Sequence, residues 1–436
     1  MNDQLDVYDS KEYKKSGFAY KMECTFEYFV AILIADAYLS NMLTAIGMPD
    51  SMVGIVSSIT SLAFCFQLIT MLLVQRVTNT KMFASLVHLV GRMFFVTLYF
   101  IPFFDFIPDE SKRVVAVVCI VAGYFGNYVV TSMIYNWGNS FVHPTKRATF
   151  SATKEMISLA CGMVFTFAMG QVVDYYDARG NSNAAFIFLG LTILVATIAD
   201  FACLMIMSKE NKPKEKVEVE PIRKVIKHLF KNKGFVYLLI LDCLHKTAMY
   251  SIAGFMGTFK LKELGMTVGL VSIVSMISSG VRFVFSKPIG RFSDKTSFAT
   301  GITLGLVIKA TGYIFILLAT PEMWWLIIGY QVLYNVSAAA TGQNFLNAVY
   351  SYVDKEHFVQ AVSMKNCISG VIGFFASLGG GAIVRAIQGE SGEGLFSLFG
   401  IELYAQQVLA IIALSLTLIS FIFAQCVVRK QKVMVQ

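Results

Sequence analysis

The stretch KENKPKEKVEVEPIRKVIKHLFKNKG, Lys209 to Gly234, divides the chain. Its nine bases (Lys209, Lys212, Lys214, Lys216, Arg223, Lys224, Lys227, Lys231 and Lys233) outnumber Glu210, Glu215, Glu218 and Glu220. On both sides the sequence returns to long hydrophobic runs. A charged stretch near the midpoint of 436 otherwise apolar residues reads as an aqueous linker between two membrane-embedded halves.

At 56% hydrophobic and 15% charged residues, with a mean hydropathy of +0.64, the chain has too little polar surface to cover a soluble protein of its size. Lipid is therefore its partner. The net charge of +8 is spread between the apolar runs, the pattern that orients membrane proteins, and does not point to nucleic acid. Cysteines 24, 65, 119, 161, 203, 243, 367 and 426 are scattered singly, so neither a disulfide framework nor a zinc site is expected. No phosphate-binding loop, zincin pattern or nucleophile elbow is present, so the sequence argues against an enzyme and against a cofactor or metal requirement.

A helix needs about 20 apolar residues to cross roughly 30 Å of hydrocarbon. Twelve segments qualify, near 26–46, 52–74, 82–104, 114–140, 149–174, 185–207, 235–259, 268–287, 297–319, 323–350, 358–385 and 399–427. The predicted fold is all-α and integral to the membrane, and strands are not expected because the runs lack alternation. The expected organisation is a tail (1–25), a six-helix bundle (26–207), the basic linker (208–234), a second six-helix bundle (235–427) and a tail (428–436). The first 25 residues lack a signal peptide's apolar core, so the first segment should remain as a helix. Lys and Arg concentrate in the loops on the side of the termini and linker, which predicts that both termini are cytoplasmic.

The halves repeat each other. Gly47-Met48, Val53, Ile55-Val56-Ser57, Ile59 and Ser61 match Gly265-Met266, Val271, Ile273-Val274-Ser275, Ile277 and Ser279 without a gap. Arg76, Phe83 and Ala84 match Arg291, Phe298 and Ala299 at constant spacing. Asn136 and Asn139 have counterparts in Asn344 and Asn347, and Lys154, Ile157, Ser158, Gly162 and Gly170 in Lys365, Ile368, Ser369, Gly373 and Gly381. All four matches keep the same order, so duplication of a six-helix unit, giving two pseudo-symmetric bundles, is the economical reading.

This plan resembles the major facilitator superfamily over about residues 26 to 428. The local motif is Gly290-Arg291-Phe292-Ser293-Asp294-Lys295, similar to the family's G-x-x-x-D-[RK] loop, although Ser297, Phe298 and Ala299 depart from it. The first half's equivalent has Asn79 in place of the Asp. The stretch Trp137 to Lys154 is similar to the Pro-x-x-x-Arg entry into helix five. The absence of an Arg between Gly123 and Val130, and of a Gly-Pro kink in helix five, disfavours drug/proton exchange. The resemblance implies alternating access, with helices one, four, seven and ten lining a central cavity.

Ionisable groups at depth in hydrocarbon are costly without water or a partner, so each is a functional candidate. Asp36, ten residues into helix one, suits proton or sodium coupling, as do Asp242 and His245 on helix seven; a structural ion pair is the competing reading. Lys246, one turn from Asp242, can hold an anion or neutralise that acid. Asn127, Tyr128 and Thr131 on helix four, with Gln331, Asn335 and Asn344 on helix ten, supply neutral donors for a solute or bonds between helices. Lys154 and Lys365 read as gate or interbundle groups, and Asp294 with Arg291 as a latch. Arg92 and Lys309 read as bases packed against acids. Glu23 and Glu27 are expected to be solvated near the cytoplasmic edge.

These readings predict a monomeric secondary transporter of the cytoplasmic membrane. Its solute would be small, polar and organic, an anion or sugar-like molecule, in proton- or sodium-coupled symport. Drug or metabolite efflux by the same fold is the alternative.

Overall fold

A computed structural model describes residues 8, 10–73, 77, 79–104, 106–142, 147–209, 222–353, 358–389, 394–398 and 400–430. Arg76, the Pro144 part of the helix-five entry and linker residues 210–221 lie outside the described residues. The helices are α1 (Lys11–Leu33), α2 (Asp36–Ala45), α3 (Asp50–Ser57), α4 (Ile59–Ala63), α5 (Phe66–Leu73), α6 (Thr80–Phe100), α7 (Asp109–Ser140), α8 (Arg147–Asp177) and α9 (Ser182–Ile206). There follow α10 (Ile222–Lys231), α11 (Lys233–Ala253), α12 (Val268–Lys295), α13 (Phe298–Leu318), α14 (Leu326–Tyr350), α15 (Phe358–Gln388) and α16 (Ala405–Cys426). Among the described residues, 10 helices are long and apolar enough to cross a membrane, and the bent pair α1–α2 makes 11. The 25-residue α14 takes the remaining place of the twelve. Gln331, Asn335, Ser337, Thr341 and Asn344 make it polar for a span.

Three elements depart from the sequence reading. The first span is discontinuous: α1 begins at Lys11, well before the apolar run, and breaks at Ile34–Ala35, where Ala35 is extended (φ −138°, ψ 167°) and the axis bends by 47°. The break exposes backbone acceptors that lipid cannot satisfy. Tyr99 answers one of them, its hydroxyl donating to the Leu33 carbonyl. The second span is divided into α3, α4 and α5; at its first division the Ser58 hydroxyl donates to the Gly54 carbonyl at 2.9 Å, a back-bond that bends helices. Finally, Phe396–Leu398 and Ile401–Leu403 form an antiparallel hairpin where the start of the twelfth helix was expected. Its turn places Gly400 at φ +80°, a conformation with no steric cost only for glycine.

The chain divides into two compact units, and each exchanges one short segment at a repeated turn. The first comprises 1–48, 66–216 and 267–273; the second comprises 49–65, 217–266 and 274–436. Both segment exchanges follow a left-handed glycine, Gly47 (φ +73°) and Gly265 (φ +63°), at matching positions of the repeat.

In the first unit α1 packs on α8 and α9, and α6 on α7 and α9. Tyr20, Val130, Met133, Trp137, Leu204 and Met207 form its core. A Cβ on Gly91 would lie 2.9 Å from the Gly126 Cα, so small residues bring α6 and α7 to backbone contact. Residues 267–273 dock on α8. The Asp174 carboxylate accepts from the Thr267 hydroxyl at 2.7 Å and from the Gly269 N–H at 2.8 Å, and the hydroxyls of Tyr38 and Ser272 share a hydrogen bond at 2.8 Å.

In the second unit α13 packs on α14 and α16, and α11 on α15 and α16. Phe235, Leu238, Ile302, Leu306 and Val349 lie in its core. Residues 49–65 lie against α11 and α15 along a glycine seam. A Cβ on Gly254 would lie 2.1 Å from the Gly54 carbonyl oxygen, and one on Gly370 would lie 2.3 Å from that of Ser61. The glycines of helix eleven therefore serve close packing at 370, 373, 380 and 381, whereas Gly379 faces open space. Lys262 forms an ion pair with Asp50 within this unit.

Candidate functional site

In the second unit, α11 carries Asp242, His245 and Lys246 within one and a half turns, and neighbouring helices bring two more bases to them. The Lys365 ammonium of α15 donates to the Asp242 carboxylate at 2.9 Å, with both side chains buried. Lys365 also donates to the Asn366 amide oxygen at 3.1 Å. Asp242 thus pairs with a lysine from another helix, where the sequence offered Lys246 on its own helix. The Lys309 ammonium of α13 lies 3.4 Å from His245 Nε2, and His245 Nδ1 has no hydrogen-bond partner among the described residues.

Aromatic faces hold the ammonium groups in place. Lys309 Nζ lies 5.0 Å from the Tyr334 ring centre, Lys365 Nζ 5.7 Å from that of Phe345, and Lys246 Nζ 5.5 Å from that of Tyr250 and 5.9 Å from that of Phe64. The Phe345 ring also stacks on His245 with centres 5.3 Å apart. Ring quadrupoles stabilise cations where water is scarce. Lys365 is the only one of the three lysines in an ion pair with Asp242 among the described residues, so Lys246 and Lys309 have no carboxylate of their own in the cluster. None of the rings was a candidate from sequence, because a Phe or Tyr in an apolar helix gives no signal of which cation it faces.

The first unit contains a second, acidic cluster. Arg92 of α6 lies 3.7 Å from Asp200 of α9 and 3.9 Å from Glu27 of α1, and His88 Nε2 lies 3.9 Å from Asp200. Glu23, only 1% exposed, shares its carboxylate with the Cys24 thiol at 3.1 Å. The solvated position expected for Glu23 is incorrect: α1 starts at Lys11, so Glu23 lies inside a long helix packed on α8 and α9. The expectation that Arg92 packs against acids agrees with this geometry, whereas Lys309 lies beside a histidine. Lys154 of α8 rests over the Tyr20 and Tyr135 rings and donates to the Tyr20 hydroxyl at 3.2 Å. Lys154 belongs to the first unit and its repeat counterpart Lys365 to the second.

The remaining candidates are dispersed. Asp36 is half-buried and opens α2 with φ +46°, a strained conformation for a residue with a side chain, at the positive end of a membrane half-helix. Thr131 donates to the Asn127 carbonyl at 2.7 Å and Asn335 to the Gln331 carbonyl at 2.9 Å, while the rings of Tyr124 and Tyr128 lie 6.1 Å apart. The Asn344 amide donates to the Ser293 hydroxyl at 2.9 Å, a bond between helices, and to the Ala340 carbonyl at 2.6 Å within α14. Arg291 is exposed, and the side chain of Asp294 lies outside the described residues.

A family model for the Major Facilitator Superfamily matches residues 24–384. No curated protein sequence matches the chain. Among solved structures, a point mutant of the nucleoside transporter NupG is similar with a TM-score of 0.74 at 12% identity, covering 94% of this chain and 99% of the other. A D-xylose-proton symporter is similar with a TM-score of 0.69 at 11% identity, covering 95% and 98%. A bacterial homologue of the human lysosomal transporter Spinster reaches 0.69 at 14% identity, covering 96% and 98%. At such identities the likeness is one of fold.

Proposed function

The chain belongs to the major facilitator superfamily, and on that premise we propose that it is a secondary active transporter of a small organic anion, working by alternating access and coupled to protons or sodium. The observation that carries this reading is the cluster of buried Lys309 and Lys365 and half-buried Lys246 with Asp242 and His245. Burying two lysines beside a third with only one acid among them is costly unless a guest supplies the missing charge. Lys246 is the proposed anion ligand, because Lys365 is engaged by Asp242 and Lys309 lies against His245. Asp242 and His245 serve the coupling reading, since both lie on α11 within about one turn of Lys246, where an arriving anion changes the field at each. Asp36, at the break of the first span, is a further coupling candidate, because unwound membrane helices present helix ends to ions. The neutral donors Asn127, Tyr128, Thr131, Gln331 and Asn335 are proposed to orient the solute. Lys154, Lys365, Arg291 and Asp294 retain their proposed gate roles. Cytoplasmic termini, the cytoplasmic membrane and a monomeric state belong to the same proposal, the first of them supported by the loop charges.

The test is thermal stabilisation of the detergent-solubilised protein by organic acids, sugars, nucleosides, amino acids and cationic drugs, with and without sodium. A ligand that binds only the native state raises Tm by mass action, by about 2.7 kcal/mol of stabilisation at a hundred times Kd. Nucleosides and pentoses belong in the screen because a nucleoside transporter and a D-xylose-proton symporter share the fold. Stabilisation by an organic acid that is lost in Lys246→Gln supports the proposal. Stabilisation by cationic drugs alone overturns it in favour of efflux.

A further inference from the structure

The linker ends in a helix that the transport reading does not use. In α10 (Ile222–Lys231) the apolar residues Ile222, Val225, Ile226, Leu229 and Phe230 recur at the spacing of one helical face, with bases at most of the positions between them. A short helix of this pattern, strongly charged on one face and of low overall hydrophobicity, suits a membrane interface and not a span.

α10 is fastened to the ends of three spans of the second unit. Asn232 (φ −81°, ψ 106°) separates it from α11 and caps that helix, its side chain accepting from the Phe235 N–H at 3.1 Å. The Asn232 amide donates to the Tyr352 carbonyl just past α14, and the Tyr352 hydroxyl donates to the Val428 carbonyl just past α16 at 3.4 Å. Leu229, 1% exposed, enters the same core cluster as Phe235, Tyr352 and Val428. The next residue, Phe230, is 45% exposed. An aromatic ring left open at the level where membrane helices end meets headgroups and the first acyl carbons.

The charge around this anchor is of one sign. Lys224, Lys227, Lys231 and Lys233 are exposed, as are Arg429 and Lys430 beside Val428. No acid occurs in the sequence between Glu220 and Asp242 or after Glu402. None of these six bases is in an ion pair among the described residues. The dipole of α10 accounts for Lys231 in its last turn, but not for Lys224 and Lys227 before it.

We propose that α10, with the bases that follow α16, forms a docking surface for anionic lipid headgroups in the leaflet that meets the linker. Phe230 enters the acyl boundary, and Lys224, Lys227 and Lys231 hold headgroup phosphates beside it. Lipid is favoured over a soluble polyanion because Leu229 fixes the surface at the span ends, and because the open Phe230 ring offers apolar contact that a soluble polyanion does not use. The inference needs only that the spans lie in a bilayer, so it stands or falls apart from the solute and coupling readings.

Hydrogen exchange of the full chain tests it, in nanodiscs of phosphatidylcholine and in nanodiscs of phosphatidylcholine mixed equally with phosphatidylglycerol. The anionic mixture should slow exchange in residues 222–231 by about fivefold or more, the effect of one lysine at an anionic surface. Salt should remove the difference. Combining Lys224→Gln, Lys227→Gln and Lys231→Gln, all exposed positions, should abolish it, whereas Phe230→Ser should speed exchange of α10 in both compositions. Equal rates in the two lipids overturn the proposal, as does a difference that survives the triple variant, which would report only the surface pH of the anionic bilayer. Unchanged rates in Phe230→Ser overturn the insertion of that ring. If heparin added to phosphatidylcholine nanodiscs slows α10 as much as phosphatidylglycerol does, the surface belongs to a soluble polyanion and the proposal is overturned.

Discussion

Asp242 and Lys365 form a buried pair whose two members differ in what each leaves behind. At 2.9 Å the attraction is about 6 kcal/mol at an effective dielectric constant of about 20. Desolvation offsets much of it, and breaking such a pair from one side costs about 3–5 kcal/mol because the surviving charge is stranded. The stranded charges are not equivalent here. Asp242→Asn leaves Lys365, Lys309 and Lys246 with no carboxylate among them. Lys365→Gln leaves Asp242 with Lys246 one turn away on α11. Asp242→Asn should therefore be the more destabilising, toward about 5 kcal/mol, and Lys365→Gln toward about 3 kcal/mol. The double variant should cost less than the sum, because each change relieves the charge that the other strands. The assay is a double-mutant cycle on unfolding free energies in mixed micelles. Equal single costs, or additive ones, would refute the argument that the surplus of ammonium groups sets the energetics of this site.

Three further outcomes follow from the packing elsewhere. Gly254→Ala places a Cβ 2.1 Å from the Gly54 carbonyl oxygen, a backbone atom that cannot rotate away; overpacking of this kind costs about 1–3 kcal/mol, and a lowered Tm checks it, with Gly379→Ala as the silent control. The Sγ atoms of Cys65 and Cys367 lie 3.3 Å apart, so a mild thiol oxidant should remove two titratable thiols from the wild-type protein, and this paired loss should be absent in Cys65→Ser and in Cys367→Ser. Asp174→Ala removes the acceptor for the Thr267 hydroxyl and the Gly269 N–H at the start of α12. The loss should be that of a helix cap, about 1 kcal/mol, read as a lower Tm and as faster hydrogen exchange in residues 267–273.

The sequence by itself determined the membrane environment, the count of spans and the duplication. Twenty-residue apolar runs have no other stable solvent, and the Gly47-Met48 and Gly265-Met266 turns carry the repeat because only glycine takes their left-handed φ without cost. It also identified Asp242, His245, Lys246, Lys309 and Lys365 as charges needing an explanation, since burial penalises charge wherever the helices lie. What sequence spacing cannot give is which charges meet. Helical periodicity relates Asp242 to Lys246 on one element, but the closest partner, Lys365, arrives from a helix more than a hundred residues away. Glu23 was misjudged for the same reason: a polar stretch at the edge of an apolar run looks solvated until α8 and α9 are packed against it. The breaks at Ile34–Ala35 and Ser58 likewise depend on partners elsewhere, such as Tyr99 for the freed Leu33 carbonyl. Local sequence sets which groups must be satisfied in lipid, and tertiary packing decides by what.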